Sequence, residues 1–466
     1  MRAAGHGGWA ERVPCMSGVE SPTYHAAMLS FIRNAWQALN ASFWFLPALL
    51  GIAAVLLSIG TVTLDQHLGD AWLAGLDARA FAPMQSDGAR AVLTTIASSM
   101  ITVAGVVFSL TLLVLTQASS QFGPRLLLNF MHDRTTQFVL GIFVATFVYA
   151  LLVLRVVTSG EAGGVTAGFV PQASVLVALA LAFSTVGVLV YFFHHIAEGV
   201  RATNILGKVD DALHEMLAAL PEPGTGDDPT PGDVPTGFRD DHGIVEARRG
   251  GYLQSVDVRA LVKAASSQEA VIRILPTVGS YVTLGAPLAE VHPASASAAL
   301  EDAVHEAIAT GNDRSLTQDL GFAFDEFLEI AMRALSPSMN DPFTARNCID
   351  RIAQGVLRLD RRGLPGQIHV DGDGTVRALV PLHAAGALTR HLFAELRRAS
   401  RGNLFVTQHL LEALVMLRRH VGSAAITTAV EDELEAIERD AASTLLPQDR
   451  ARLAAVRSRS DAHASR

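Results

Sequence analysis

Residues 92–116 read VLTTIASSMITVAGVVFSLTLLVLT and contain no Asp, Glu, Lys or Arg. Three further uncharged, apolar stretches lie close to it in the chain, at Trp44–Leu64, Gln137–Leu154 and Gln172–Phe193. A helix needs about 20 apolar residues to cross roughly 30 Å of hydrocarbon. Only helices and closed barrels satisfy their backbone hydrogen bonds there. The four stretches therefore predict an α-helical polytopic membrane domain with four transmembrane helices.

The composition of the chain changes near Pro221. Residues 221–243 read PEPGTGDDPTPGDVPTGFRDDHG, a composition typical of a flexible linker because it buries too little apolar surface to fold. The predicted organisation is a disordered N-terminal extension (1–35), the four-span domain (36–200), a helical extension (201–220), the linker (221–243), a small β-rich module (244–293), a helical cytoplasmic domain (294–445) and a C-terminal tail (446–466).

Charge and cysteine usage exclude several classes of protein. The net charge is −9 and the only lysines are Lys208 and Lys263, so no nucleic-acid-binding surface is indicated. Cys15 and Cys348 are the only cysteines, too few for a disulfide framework or a thiolate metal site. Residues 1–28 lack the apolar core and cleavage site of a signal peptide and are interpreted as part of the disordered extension.

Basic residues next to the apolar stretches predict the orientation in the membrane. One side carries Arg33, Arg125, Arg134, Arg201 and Lys208. The opposite loops contain fewer basic residues and several aspartates. Because Lys and Arg concentrate on the cytoplasmic side, we expect a multi-pass protein of the bacterial inner membrane with both termini in the cytoplasm.

One face of the second stretch is small and hydroxylated. At about 100° per residue its members fall within an arc of about 80°. They are Thr95, Ser98, Thr102, Gly105, Ser109, Thr116 and Ser120, called the hydroxyl stripe below. Such a stripe is typical of close helix packing in membranes. The alternative is that copies of this helix from several subunits line a pore, where hydroxyl groups contact a passing ion.

An apolar seam follows the fourth stretch with alternating spacings of four and three residues. It consists of Ala202, Leu206, Val209, Leu213, Met216 and Leu220. This spacing is that of a short coiled coil. The seam either joins subunits of a homo-oligomer or packs against the chain's own soluble domain.

The end of the fourth stretch places His194 and Glu198 four residues apart on one helix face, where both could face a metal. Two ligands do not complete a site, and an interfacial belt of aromatic and imidazole groups accounts for the same residues. No metal site is predicted. Since none of the four stretches contains a charged residue, ion-coupled transport is disfavoured.

The β-rich module begins after the linker. Residues 244–258 predict two short strands about a Gly-Gly turn, and residues 269–293 predict two or three more after an intervening helix. Within them, VGSYVTLGAPLAEV (278–291) resembles the half-motif of biotinyl and lipoyl-type barrel-sandwich domains. Those domains attach their cofactor to a lysine at a hairpin tip. This segment has no lysine, so the resemblance implies a fold and no cofactor.

The remaining residues alternate amphipathic helices with short breaks. Residues 320–335 present one apolar face, with Glu329 and Arg333 spaced as an ordinary surface ion pair. After a break, Asp341 is placed to cap the next helix and Pro342 suits its first turn. Residues 370–376, VDGDGTV, predict a hairpin turn. These features predict a helical bundle combined with the β-rich module in one α+β domain.

Three of these motifs together resemble a bacterial family of predicted membrane proteins, catalogued as domain of unknown function 2254. The motifs are residues 98–131 with the span that follows, residues 279–291, and ALSPSMNDPFTA at residues 334–345. The likeness extends from about Trp36 to Asp440. It implies four spans followed by a cytoplasmic domain, and it supplies no activity and no site residues.

The sequence contains no nucleophile elbow, metal triad or phosphate-binding loop, so no catalytic residue, cofactor or enzymatic activity is predicted. The first hypothesis is an oligomeric channel or pore with a regulatory cytoplasmic domain. The alternative is a membrane-anchored sensor or scaffold whose cytoplasmic module binds a partner or small ligand. The expected partners are the lipid bilayer, further copies of the chain and an unidentified ion or small ligand.

The predicted orientation is tested by cysteine accessibility. In a background without Cys15 and Cys348, a cysteine replacing Thr225 is expected to react with a membrane-impermeant maleimide only after the inner membrane is permeabilised. A cysteine replacing Ser159, between the third and fourth stretches, reports that the reagent reaches the periplasmic side. Labelling of the Thr225 position in intact cells would show that the orientation is wrong.

Overall fold

The computed structural model describes residues 44–68, 84–123, 133–159, 169–199, 201–220, 238 and 240–464. The predicted extension at residues 1–35 lies outside them. Four helices in the described residues are long and apolar enough to cross a membrane. They are α1 (Phe45–Leu68), α2 (Ser86–Phe122), α3 (Arg134–Val156) and α4 (Gln172–Gly199). Each helix contains most or all of one predicted stretch, so the four apolar segments are confirmed as helices.

The described residues divide into two compact units, and α2 contributes to both. The described residues up to 109 and from 133 to 192 belong to the first unit, and those from 110 to 123 and from 193 onward belong to the second. With 37 residues, α2 is about 55 Å long at about 1.5 Å per residue. It is therefore much longer than the roughly 30 Å of a hydrocarbon core.

Helices α1 and α3 pack closely in the first unit. A Cβ atom on Gly141 would lie 2.6 Å from Cδ1 of Leu50 and 3.1 Å from Cα of Pro47. Only a glycine leaves room for this approach. Helices in a membrane gain no hydrophobic driving force by associating, because lipid tails are as apolar as their side chains. Small residues at the contact allow the close packing that stabilises the pair instead.

A buried aspartate caps the beginning of α4. Asp65 is 5% exposed and accepts hydrogen bonds from the backbone N–H groups of Ala173 and Ser174, both at 2.9 Å, and from the Ser174 hydroxyl at 2.7 Å. Nearby, the Tyr149 hydroxyl lies 2.9 Å from Thr61 Oγ1 and donates to the Ser174 carbonyl at 3.2 Å. The predicted apolar stretch ends at Leu64, whereas in the structure α1 continues through Asp65 to Leu68. The carboxylate there satisfies N–H groups that a helix start leaves without partners.

The second unit contains a helical core and a β-rich part. The helices after the membrane segments are α5 (Ala202–Ala219), α6 (Val258–Ser267), α7 (Ser297–Ala307), α8 (Leu320–Ala334), α9 (Pro342–Arg362), α10 (Ala385–Ala399), α11 (Leu404–His420), α12 (Ala424–Thr444) and α13 (Pro447–Ala464). The helical core is formed by α5 and α8–α13 together with the end of α2. As the sequence predicts, Asp341 caps α9, and its side chain accepts hydrogen bonds from the N–H groups of Phe343 and Thr344.

The C-terminal segment differs from the predicted tail at residues 446–466. It forms α13, and Leu453 is buried in the helical core. Arg457 also forms an ion pair with Glu438 of α12 at 2.5 Å. The segment was predicted to be a tail because most of its residues are polar, and the few apolar residues that pack against the domain are too sparse to form a clear pattern.

The β-rich part consists of two sheets around one core. The strands are β1 (Gly243–Glu246), β2 (Gly251–Val256), β3 (Val271–Ile274), β4 (Tyr281–Val282), β5 (Pro287–His292), β6 (Ile308–Gly311), β7 (Ile368–Val370) and β8 (Val376–Leu379). A five-stranded sheet has the order β1-β5-β3-β8-β7, and a three-stranded sheet has the order β4-β2-β6. The successive strands β1 and β2 therefore belong to different sheets. The barrel-sandwich detail stays a prediction.

The β-rich part is larger than the predicted module at residues 244–293. Strand β8 pairs with β3 in parallel, and β7 and β8 form the predicted hairpin at residues 370–376. Both β7 and β8 come from the range 294–445, which was predicted to be helical. Phe238, within the predicted linker, is 2% exposed and clusters with Val271 and Leu379. The rest of that linker up to residue 237 lies outside the described residues.

Helix α5 packs against α8 and α9 of its own unit. Leu206 and Leu213 are 1% and 0% exposed. Asp210, between them, forms ion pairs with Arg351 at 2.7 Å and Arg358 at 3.0 Å. A Cβ atom on Gly355 of α9 would lie 2.8 Å from Leu213 Cδ2. The contacts of the seam are therefore those of packing on the chain's own domain, one of the two arrangements that the sequence leaves open.

The cap on α4 is tested by replacing Asp65 with Ala. The change removes the acceptor of three hydrogen bonds and leaves buried N–H groups without partners. We expect a loss of about 1–3 kcal/mol in the free energy of unfolding in detergent. Asp87→Ala is the matched control, since Asp87 is exposed in the first turn of α2, and it should cost at most about 1 kcal/mol. Equal losses would contradict the cap.

A pair of helical glycines tests the packing of α5. Gly355→Ala is expected to destabilise the second unit by about 1–3 kcal/mol because its methyl group would overlap Leu213 and Phe324. Gly207→Ala on α5 meets no atom within 4 Å and should stabilise its helix by about 0.5–1 kcal/mol. Thermal unfolding of both variants measures the difference. If Gly355→Ala were also stabilising, α5 would not lie against α9.

Candidate functional site

The hydroxyl stripe of α2 is exposed along its whole length. Every one of its members is exposed in the protomer: Thr95, Ser98, Thr102, Gly105, Ser109, Thr116 and Ser120. The buried residues of the membrane part of this helix are Leu93, Ile96, Ala97, Met100, Ala104 and Val107. At about 100° per residue, these two sets lie on opposite sides of the helix. The side chains of the stripe are therefore not used for packing within the described protomer.

Five of the six hydroxyl groups of the stripe donate hydrogen bonds to carbonyl groups of their own helix. Thr95 donates to Ala91 O at 2.8 Å, and Thr102 donates to Ser98 O at 2.8 Å. Thr116 donates to Leu112 O at the same distance. A Cβ atom on Gly105 would meet nothing within 4 Å. Because five of the six hydroxyl protons are paired in this way, this face tolerates lipid or a second helix with few unsatisfied donors, and its oxygens still accept hydrogen bonds.

The end of α2 is held by α8 within the second unit. Phe122 is 5% exposed in the helical core, and Arg333 of α8 donates to the Ser120 carbonyl at 3.5 Å. Gly123 follows with φ +112°, and its N–H donates to the Ser119 carbonyl at 3.1 Å. A Cβ atom there would lie 2.5 Å from Glu329 Oε1. The helix thus ends on a glycine against the Glu329–Arg333 pair.

The sequence predicts Glu329 and Arg333 as a pair but does not predict their contact with α2. Arg333 Nη2 lies 3.2 Å from Glu329 Oε1. Spacing of four residues indicates the pair, yet it carries no information on a partner more than 200 residues earlier in the chain. No sequence signal would have identified this contact.

The apolar seam is not a free surface in the protomer. Leu206, Val209, Leu213 and Met216 belong to the helical core, and Ala202 and Leu220 are partly buried against it. Buried neighbours that the spacing did not select are Ile205 and Leu217. The face is therefore broader than the predicted heptad pattern. The prediction that the seam joins subunits has no support in these contacts.

Charged clusters in the second unit are paired with one another. Asp319 is fully buried and binds Arg314 through two hydrogen bonds at 2.6 and 2.9 Å, and Arg314 also reaches Asp325 at 2.7 Å. Burial opposes the charge of Arg314, but the bonds to both carboxylates outweigh it and raise the pKa of the guanidinium. Asp319 also caps α8. This cluster connects the segment before α8 to that helix.

Metal and thiol chemistry find no support among the described residues. His194 Nε2 and Glu198 Oε2 lie 3.5 Å apart on an exposed face. No group of three or more His, Cys, Asp or Glu side chains within the described ranges is placed to hold a metal ion. The pKa of the Cys348 thiol is raised well above its ordinary value, mainly because the group is buried, and the thiol therefore stays protonated.

Comparison with known proteins places the chain in a family. A family model described as predicted membrane protein, domain of unknown function 2254, matches residues 40–416. An uncharacterized protein of Mycobacterium bovis and one of Mycobacterium tuberculosis are each 32% identical over 359 residues, 76% of this chain and 68% of the relative. No solved structure matches the chain. The four apolar helices are those expected of a membrane protein, and the family model covers most of the chain. The protein therefore belongs to this family of predicted membrane proteins.

Proposed function

We propose that the protein is an oligomeric membrane channel in which α2 helices from several copies meet along the hydroxyl stripe and surround a pore. The observation that carries the proposal is the position of the stripe. It is exposed along its whole length and lies opposite the side of α2 that packs within the protomer. A helix with one face on its own unit and a polar, small second face has the properties of a pore-lining helix.

The chemistry of the stripe suits weak contacts with a passing ion. Hydroxyl oxygens such as those of Thr102 and Ser98 accept hydrogen bonds from water and can replace part of the hydration shell of a cation. Residues 92–116 carry no charged side chain. Binding along the stripe is therefore weak, as conduction requires, since an ion must also leave each position.

The continuity of α2 offers a route for regulation. The stripe begins in the first unit, and the same helix ends at Phe122 in the core of the second. Because Arg333 and Glu329 contact its last residues, a movement of α8 would turn or tilt the end of α2. In the proposal, the second unit is the predicted cytoplasmic domain and controls the opening of the pore in this way.

Ser109→Leu tests the pore. A leucine on the stripe narrows the opening and repels water, and a hydrophobic constriction blocks conduction by dewetting. We expect ion flux through reconstituted protein to fall at least about tenfold, with oligomer mass and melting temperature unchanged. Flux into loaded vesicles and conductance in planar bilayers are the measurements.

Ser184→Leu on α4 is the matched control, because Ser184 is also an exposed serine of a membrane helix and lies outside the stripe. It should leave flux unchanged. Absence of flux through well-folded wild-type protein under varied voltage, pH and tension would reject the channel. If Ser109→Leu then lowered only stability, by about 1–3 kcal/mol as in an overfilled helix contact, the membrane-anchored sensor would be favoured.

A further inference from the structure

A small cavity lies between the two sheets of the β-rich part. Its volume is about 190 Å³, and its apolar walls are the buried side chains of Ala247, Val282, Leu288 and Ile308. Strand β5 belongs to the five-stranded sheet, and β4 and β6 to the three-stranded one. A cavity of about 150 Å³ is large enough to hold benzene. The space therefore fits an apolar body of about that size, in contact with both sheets.

The polar residues of the cavity are basic or hydroxylated. They are Arg248, Arg249, His305 and Thr310. No carboxylate lines the cavity among the described residues. Glu301 and Asp302 of α7 lie nearby and both bind Arg248, at 2.9 and 2.6 Å. Two carboxylates more than neutralise one guanidinium, so Arg248 adds no net positive charge to the cavity.

Arg249 keeps its charge available for a ligand. Its Nε donates to Thr310 Oγ1 at 2.9 Å, which holds the guanidinium at the edge of the cavity. Within the described residues it forms no ion pair. A guanidinium has five N–H donors in a planar fork that matches two oxygens of a carboxylate or phosphate group. One Nε–H bond leaves the remaining donors of this fork for such a group.

His305 supplies an independent observation. Its Nε2 atom is buried and has no hydrogen-bond partner among the described residues. Buried polar atoms in folded proteins nearly always have a partner, and each exception requires an explanation. His305 lies in the last turn of α7. Because Nε2 itself has almost no accessible surface, a ligand oxygen would become its partner once the imidazole turns toward the cavity that the residue lines.

We infer that this cavity binds a small organic anion, with its apolar body between the sheets and its carboxylate or phosphate group on Arg249 and His305. The arrangement agrees with the usual design of small-ligand sites, in which apolar walls bury the body and a few polar groups fix the orientation. The inference concerns the β-rich part alone and does not depend on a pore in the membrane unit.

Titration calorimetry on the full chain in detergent tests the inference, with benzoate, phenyl phosphate and benzyl alcohol as probes. Benzoate and phenyl phosphate distinguish a carboxylate from a phosphate site, and benzyl alcohol has the same ring without a charge. We expect at least one of the two anions to bind and the alcohol to bind at least about tenfold more weakly. Equal binding of the alcohol, or no binding of either anion, would overturn the inference.

Two variants and a control locate the binding. Arg249→Gln should weaken the anion that binds at least about tenfold, whereas Arg259→Gln, an exposed arginine of α6, should leave its affinity unchanged. His305→Phe removes the unpaired nitrogen. It should also weaken the anion while leaving the melting temperature of the ligand-free protein unchanged or raised. Unaltered binding in both Arg249→Gln and His305→Phe would place the anion elsewhere and reject the site.

Discussion

The interior of a bilayer offers no water to bond with backbone N–H and C=O groups, and the first unit is shaped by this constraint. Its four described helices satisfy those groups internally along their length, so the difficulty is confined to the helix ends and to polar side chains. Asp65 resolves one end by accepting from the first N–H groups of α4. The polar side chains of Thr95 and Thr102 are satisfied because their hydroxyl groups donate hydrogen bonds to carbonyl groups of their own helix. Polar residues are thus accommodated without any charged side chain within residues 92–116.

Helix α2 differs from the other three membrane helices in its length and in belonging to both units. It is the longest of the four and is shared by the two units. One side packs through Leu93, Met100 and Val107, and the opposite side is covered by nothing described in the protomer. Its end is fixed by Gly123 against Glu329, where a side chain at position 123 would collide with the carboxylate. The channel proposal includes regulation because the helix that carries the hydroxyl stripe ends in the core of a folded domain.

The second unit combines two cores of different character. The helical core binds α5 through leucines and through the Asp210 ion pairs with Arg351 and Arg358. The attraction within such a partly buried network is largely offset by the cost of removing its charges from water, so the intact pairs add little net stability. An arrangement in which Asp210 lost its partners would leave an uncompensated charge, and the pairs therefore favour this one position of α5. The β-rich part has its own core and a cavity in which Arg249 and His305 have donors or acceptors left over. Unused polar groups of this kind are where a ligand is expected.

Local chemistry in the sequence was sufficient to predict the four apolar helices, the cap of α9 by Asp341 and the hairpin at residues 370–376. Each depends on neighbours only a few residues apart, through length, capping or turn formation. The sequence also identified the hydroxyl stripe, because its spacing matches the helix period. The family resemblance stated from three motifs was confirmed by the match over residues 40–416.

Only the tertiary structure decided which faces are covered. Heptad spacing in α5 describes an apolar seam equally well for a partner subunit and for α9, and the close approach at Gly355 distinguishes them. Likewise, no periodicity relates Asp65 to Ser174, Arg333 to Ser120, or Arg249 to His305. The first two pairs are hydrogen-bonded and the third lines one cavity, and in each pair the two residues are far apart in the chain. Local sequence specifies the face of an element, whereas the partner of that face depends on the packing of the whole domain.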